Sequence, residues 1–170
     1  MLTRLIKHVE ESDGFTLIEL MVVVLIIAIL IAIALPTFLG ARSRAQNRAA
    51  QSDLSNALVA AKVMYQDKGS YALADETATG LVSVEPSLCY AAAATLSTLG
   101  GACASGAGTA NISVSAAGAT WGAARISATG ACYAIKDTSS AGTTYAQTTP
   151  ANCSGAWATT GANVNGRSFP

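Results

Sequence analysis

Hydrophobic side chains are distributed unevenly along this chain. Residues 15–35 are apolar except for Thr16 and Glu19, and Glu19 is the only charge among them. A run of about 20 apolar residues is long enough to cross a bilayer as a helix. A carboxylate inside it costs about 2.5–3.5 kcal/mol on insertion scales, so Glu19 is expected to have a use. Past Pro36 the pattern changes. Leu54, Leu58, Ala61 and Tyr65 recur at the spacing of one helix face, while Arg42, Arg48, Asp53, Lys62 and Lys68 fall mostly elsewhere. Gly69 suits a C-cap. The pattern predicts one helix over residues 15–68, interrupted at Pro36, where a backbone donor is missing, and loosened at Gly40. At about 1.5 Å per residue it reaches roughly 80 Å. No small domain covers that length, so its first half must find membrane or neighbouring subunits.

After Gly69 the period shortens. A loop is expected over residues 70–99, holding Tyr71, Asp75-Glu76 and Glu85-Pro86, followed by a Gly100-Gly101 turn. Ile112, Val114 and Ala116 alternate with Ser113 and Ser115, as in a half-buried strand. Residues 119–128 and 131–136 read as two more strands joined at Thr129-Gly130, and 143–147 as a fourth. The tail from Cys153 is polar and Gly-rich, with weak structural signals. The expected fold class is α+β, an antiparallel sheet packed on the amphipathic half of the helix.

Composition narrows the function classes. Charged residues make up 12% of the chain and the formal net charge is +0, which argues against a nucleic-acid surface. The single histidine, His8, precedes the apolar run, so the chain beyond it has no Ser-His or Cys-His nucleophile pair and lacks the commonest zinc ligand. Neither a catalytic constellation nor a cofactor or metal site is expected. Cys89, Cys103, Cys132 and Cys153 all follow the apolar run, without C-x-x-C spacing, which points to disulfides in an oxidising compartment. Four cysteines allow three connectivities. The sequential one, Cys89–Cys103 with Cys132–Cys153, closes short loops without crossing the sheet and is the expected one. Asn111-Ile112-Ser113 and Asn152-Cys153-Ser154 match a glycosylation pattern that is common by chance.

The order Gly14-Phe15-Thr16-Leu17-Ile18-Glu19, behind a short polar leader and before the apolar run, resembles the type IV pilin family of prepilins and pseudopilins. The stretch from Thr37 to Tyr71 also resembles bacterial prepilin helices. The resemblance implies a leader of residues 1–14, removed by a prepilin peptidase between Gly14 and Phe15, and N-methylation of Phe15 by the same enzyme. It implies a transmembrane and assembly helix over 15–36, its amphipathic continuation over 37–69 and a β-rich head over 70–170. Glu19 would pair with the Phe15 amine of an adjacent subunit as a helical homo-oligomer forms. A local unwinding would lie upstream of Pro36, although Ala28 stands where many pilins carry a glycine. The second disulfide would close a terminal loop.

The implied partners are copies of the chain, the peptidase, membrane lipid before assembly, and pilus or secretion machinery. The implied location is a single-pass inner membrane with the N-terminus cytoplasmic, then an extracellular pilus. A type II secretion pseudopilin shares the same motif. A third class is an anchored surface domain that never polymerises. An ordinary signal peptide ending at Ala32-Ile33-Ala34 would need an apolar core of about twice the usual length. One conflict concerns orientation. Arg42, Arg44 and Arg48 outnumber Arg4 and Lys7, which by the positive-inside rule favours the opposite topology. The cysteines and the resemblance outweigh so small a difference.

Overall fold

The structure, a computed structural model, describes residues 14–100, 103, 111–160, 164 and 166–169. Residues 1–13 of the expected leader and Gly101 of the expected turn lie outside them. The chain divides into two compact units between Ala41 and Arg42.

Helix α1 covers Leu17–Lys68. It continues through Pro36, so the expected interruption is not a break in helical assignment. The proline removes one donor, and close by the Thr37 hydroxyl donates to the Ala34 carbonyl at 2.8 Å. At the other end the Gly69 N–H donates to the Tyr65 carbonyl at 2.7 Å. Gly69 sits at φ +66°, the left-handed conformation that ends helices and that other residues adopt at a cost.

The second unit is α+β. Five strands, β1 (Cys89–Ala91), β2 (Asn111–Ala117), β3 (Thr120–Ile126), β4 (Cys132–Thr138) and β5 (Gly142–Thr148), form one sheet in the order β1-β2-β3-β4-β5. The β2–β3, β3–β4 and β4–β5 pairs are antiparallel, whereas β1 pairs parallel to β2. The expected loop over 70–99 therefore contains a strand and a 3-10 turn, Leu81–Ser83, and the sheet is not wholly antiparallel. The β3–β4 turn is longer than Thr129-Gly130. It closes through Ser127 N–H to the Ala131 carbonyl and Gly130 N–H to the Ser127 carbonyl.

Strand alternation separates two faces. Ile112, Val114, Trp121, Ala123, Tyr133 and Ile135 join Ala50, Leu54, Ala57, Leu58, Ala61 and Met64 of α1 in the main core. Intervening residues Ala124, Cys132 and Ala134 pack with Cys153, Ala158 and Val164 on the other face. That second layer includes a short helix, α2 (Gly155–Thr159), in the tail that gave weak signals. The Ser154 hydroxyl caps it by accepting from the Trp157 N–H at 3.2 Å. A side chain at Gly155 would run into the Val114 and Ser115 backbone at 2.5–2.6 Å, so glycine lets α2 lie directly on β2.

Polar ties fasten α1 to the sheet. Arg125 of β3 pairs with Asp53. Asn47 Oδ1 accepts from the Ser127 hydroxyl at 2.8 Å and the Thr129 hydroxyl at 2.6 Å. Asp137 is buried on β4 and accepts from the hydroxyls of Tyr71 and Thr143, with Lys62 Nζ at 3.2 Å. Burial opposes the charged Asp137 carboxylate. Hydrogen bonds from Thr143, Tyr71 and Lys62, and the Lys62 charge, outweigh it and hold the group below its ordinary value. Burial, then the Asp137 contact, pushes the Tyr71 phenol well up.

Candidate functional site

The expected site residues fall in two places. Gly14, Phe15, Glu19, Pro36 and Gly40 belong to the first unit, and the four cysteines to the second. Gly14 and Phe15 precede the first turn of α1 and are exposed, and among the described residues nothing beyond the chain neighbours lies within 4 Å of where a Gly14 side chain would begin.

Glu19 sits in the first turn of α1, where the helix dipole favours a carboxylate. Its Oε2 accepts from the Thr16 N–H at 2.8 Å and the Thr16 hydroxyl at 2.7 Å, and its own N–H donates to Thr16 Oγ1 at 3.3 Å. This is a reciprocal capping box, and it satisfies donors that a helix start leaves orphaned. Sequence reasoning missed Thr16. The Thr-x-x-Glu spacing at the head of an apolar run was the signal that pointed to it. In the uncut chain the Phe15 nitrogen is an amide and carries no charge. Cleavage would turn it into an amine, four residues from the carboxylate.

From Leu20 to Leu35 the helix offers only apolar surface. An 18-residue window of α1 has mean hydropathy 3.3 and none of it is buried, so this helix is long and apolar enough to cross a membrane. Leu20, Leu25, Leu30 and Ile33 are each more than half exposed. Burying one such side chain is worth about 1.5–3 kcal/mol, and none of the described residues of the unit supplies the cover. Pro36 and Gly40 lie near the end of this surface, inside the helix.

In the second unit disulfides join Cys89 to Cys103 and Cys132 to Cys153. Cys132–Cys153 ties β4 to the residue before the α2 cap. The Cys153 carbonyl also accepts from the Ser97 N–H at 2.7 Å. Asn111 is buried, and its Oδ1 accepts from the Thr98 N–H at 2.6 Å. In the folded chain that amide is not presented for glycosylation.

Residues 12–35 match the family model of the prokaryotic N-terminal methylation motif. The chain carries the type IV prepilin-like signature. The match opens two residues before Gly14 and closes with the apolar run, so the motif and the uncovered helix are the same stretch. No curated protein and no solved structure matches the chain. The prepilin-like segment marks a type IV pilin- or pseudopilin-like precursor, and the motif implies peptidase processing and entry into a pilus-like assembly system. The apolar helix fits a membrane-anchored precursor. The α+β head behind it, a long N-terminal helix followed by a mostly antiparallel sheet, is consistent with a type IV pilin fold.

Proposed function

We propose that the chain is the structural, non-enzymatic subunit of a type IV pilus. It is cut between Gly14 and Phe15 and methylated on the new Phe15 amine. Residues 15–36 hold it in the inner membrane with the N-terminus cytoplasmic. It then polymerises through that helix into an extracellular filament. The observation that carries this reading is the coincidence of the methylation motif with a helix segment whose apolar side chains are uncovered among the described residues. A bilayer covers them before assembly, and the helices of neighbouring copies cover them after it. Glu19 then exchanges its Thr16 donors for the Phe15 amine of a neighbour, which relieves two buried charges and sets axial register. Pro36, which lacks a donor, and Gly40 are where the helix loosens as copies pack.

A pseudopilin piston is the alternative, and one observation favours the pilus. The major pseudopilin carries a calcium site in its C-terminal part, and calcium wants several oxygen ligands. After residue 80 this chain has only Glu85 and Asp137 as carboxylates. Asp137 is already held by Tyr71, Thr143 and Lys62. Mass spectrometry of fibres or membranes decides the processing step. The reading expects an N-terminal peptide beginning at methylated Phe15, and an intact Met1 chain in assembled material contradicts it.

A further inference from the structure

Three arginines, Arg42, Arg44 and Arg48, follow the apolar run on the side to be translocated, where Lys and Arg are disfavoured. All three are exposed. The chain has no carboxylate from Leu20 to Ser52. Among the described residues none of the three makes an ion pair. Asp53, the next carboxylate along α1, is taken by Arg125. Glu85 of the head accepts from the N–H and the hydroxyl of Ser87. Three charges are thus kept where insertion penalises them, and the described head does not use them.

Their spacing fits a bilayer surface. Residues 20–41 carry no charge, and Glu19 and Arg42 bracket them. At about 1.5 Å per residue this stretch measures about 33 Å as a helix, against about 30 Å for a hydrocarbon core. The headgroup zone adds about 5–8 Å on each side. Along a helix axis Arg44 follows Arg42 by about 3 Å and Arg48 follows it by about 9 Å. Helical side chains lean toward the N-terminus, here the membrane side, and an arginine stem can lie along apolar surface with its charge at the edge. All three guanidinium groups therefore come within reach of one layer of headgroups.

Their directions favour a lipid over a protein partner. At about 100° per residue, Arg44 and Arg48 point within about 40° of each other, while Arg42 lies about 160° from Arg44. One protein surface engages one side of a helix, whereas a lipid leaflet surrounds it. Gln46 and Asn47 are half-buried, and Asn47 is held by the Ser127 and Thr129 hydroxyls, so the head starts to cover α1 at this level and leaves the arginines outside.

We propose that Arg42, Arg44 and Arg48 form a collar that binds the phosphate headgroups of anionic glycerophospholipids in the leaflet on the head side of the span. The planar guanidinium fork matches phosphate oxygens in two parallel hydrogen bonds. The collar fixes the depth of the helix and explains why arginines stand on the disfavoured side. It has to be released when the subunit leaves the bilayer. The contact rests on the membrane-anchored reading of α1 and not on the filament.

The test uses the full chain reconstituted in phosphatidylcholine vesicles carrying a trace of spin-labelled phosphatidylglycerol or spin-labelled phosphatidylcholine. Electron paramagnetic resonance reads the share of each lipid held against the protein. Wild type is expected to hold phosphatidylglycerol about threefold more strongly than phosphatidylcholine. Changing all three arginines to Gln is expected to remove most of that preference, and changing all three to Lys to keep part of it. Arg4 and Lys7 are present in every chain, so the difference between chains reads the collar alone. Equal binding of the two lipids by wild type, or an undiminished preference in the Gln chain, overturns the contact.

Disulfide content checks that each head has folded. If the triple Gln chain does not form both bonds, Arg42→Gln with Arg44→Gln decides in its place, by the same two outcomes. The rival occupant is a second copy of the chain. Equal binding of the two lipids, together with loss of fibres from a cut and membrane-bound Gln chain, assigns the arginines to contacts between copies and overturns the proposal. Alkaline carbonate separates the two possible failures. A wild-type chain that carbonate extracts removes the anchored reading and the collar together, and one that stays in the membrane without lipid preference removes the collar alone.

Discussion

The two ends of α1 are built from the same kinds of residue and meet opposite surroundings. From Leu17 to Leu39 its large hydrophobics are exposed, whereas Leu54, Leu58 and Met64 are buried against the sheet. The first segment is apolar on all sides and places one carboxylate in its opening turn. The second buries one apolar face, leaves Val59 and Val63 exposed on another, and fixes polar groups such as Asp53 and Lys62 to the sheet. A helix that is apolar all round is buried by something, and where its own chain does not bury it, lipid or other copies must. The comparison separates stability from assembly. The head is stabilised by contacts within one chain, whereas the described N-terminal segment leaves its apolar surface for lipid or, on the filament reading, for other copies.

The sharpest way to break that separation is at Gly14. Gly14→Val places a branched side chain beside the scissile bond and is expected to abolish cleavage, leaving precursor in the membrane while the head keeps its melting temperature. A cut and assembled Gly14→Val chain would argue against processing at this bond.

Within the head the largest effect is expected at Trp121. It is fully buried, and its Nε1 donates to the Ala74 carbonyl at 3.0 Å. Trp121→Ala is expected to cost about 3–5 kcal/mol in denaturant unfolding, with cleavage at Gly14 unchanged.

A smaller effect belongs to Asp137. Its folded value lies below the ordinary 3.8, so it contributes stability above that pH and loses it as pH falls toward the lower folded value. Tyr71 and Tyr90 shift upward, so their contribution is lost as pH rises past the ordinary 10.0. Asp137→Asn is expected to cost about 1–3 kcal/mol near neutral pH and to flatten the acid limb of unfolding free energy against pH. An acid limb unchanged in the variant would assign that limb to other carboxylates.

Much of this was legible in the sequence because it is local. The helix face at Leu54, Leu58 and Ala61 follows from period, and the core face of β2 follows from the alternation around Ser113 and Ser115. The Glu19 region was legible because the motif is contiguous. What escaped is set by distant partners. Strand β1 has three residues and pairs parallel with β2, a non-local contact that leaves no alternation to read. Helix α2 has five residues and exists because Ser154 caps it and Gly155 lets it onto β2. The partners of Asp137 come from α1, the following loop and β5, so no spacing along the chain announces them.

Glu19 tests the central claim most directly. Glu19→Gln keeps an oxygen able to accept from Thr16, so the capping box survives and only the charge is lost. Measured as fibre yield per processed, membrane-bound subunit, the variant is expected to insert and be cleaved like wild type, to keep head stability, and to assemble at least about tenfold less, as a buried amine left without its counter-charge requires. Wild-type fibre yield from a normally processed Glu19→Gln chain would contradict the account and leave Glu19 as a helix cap alone.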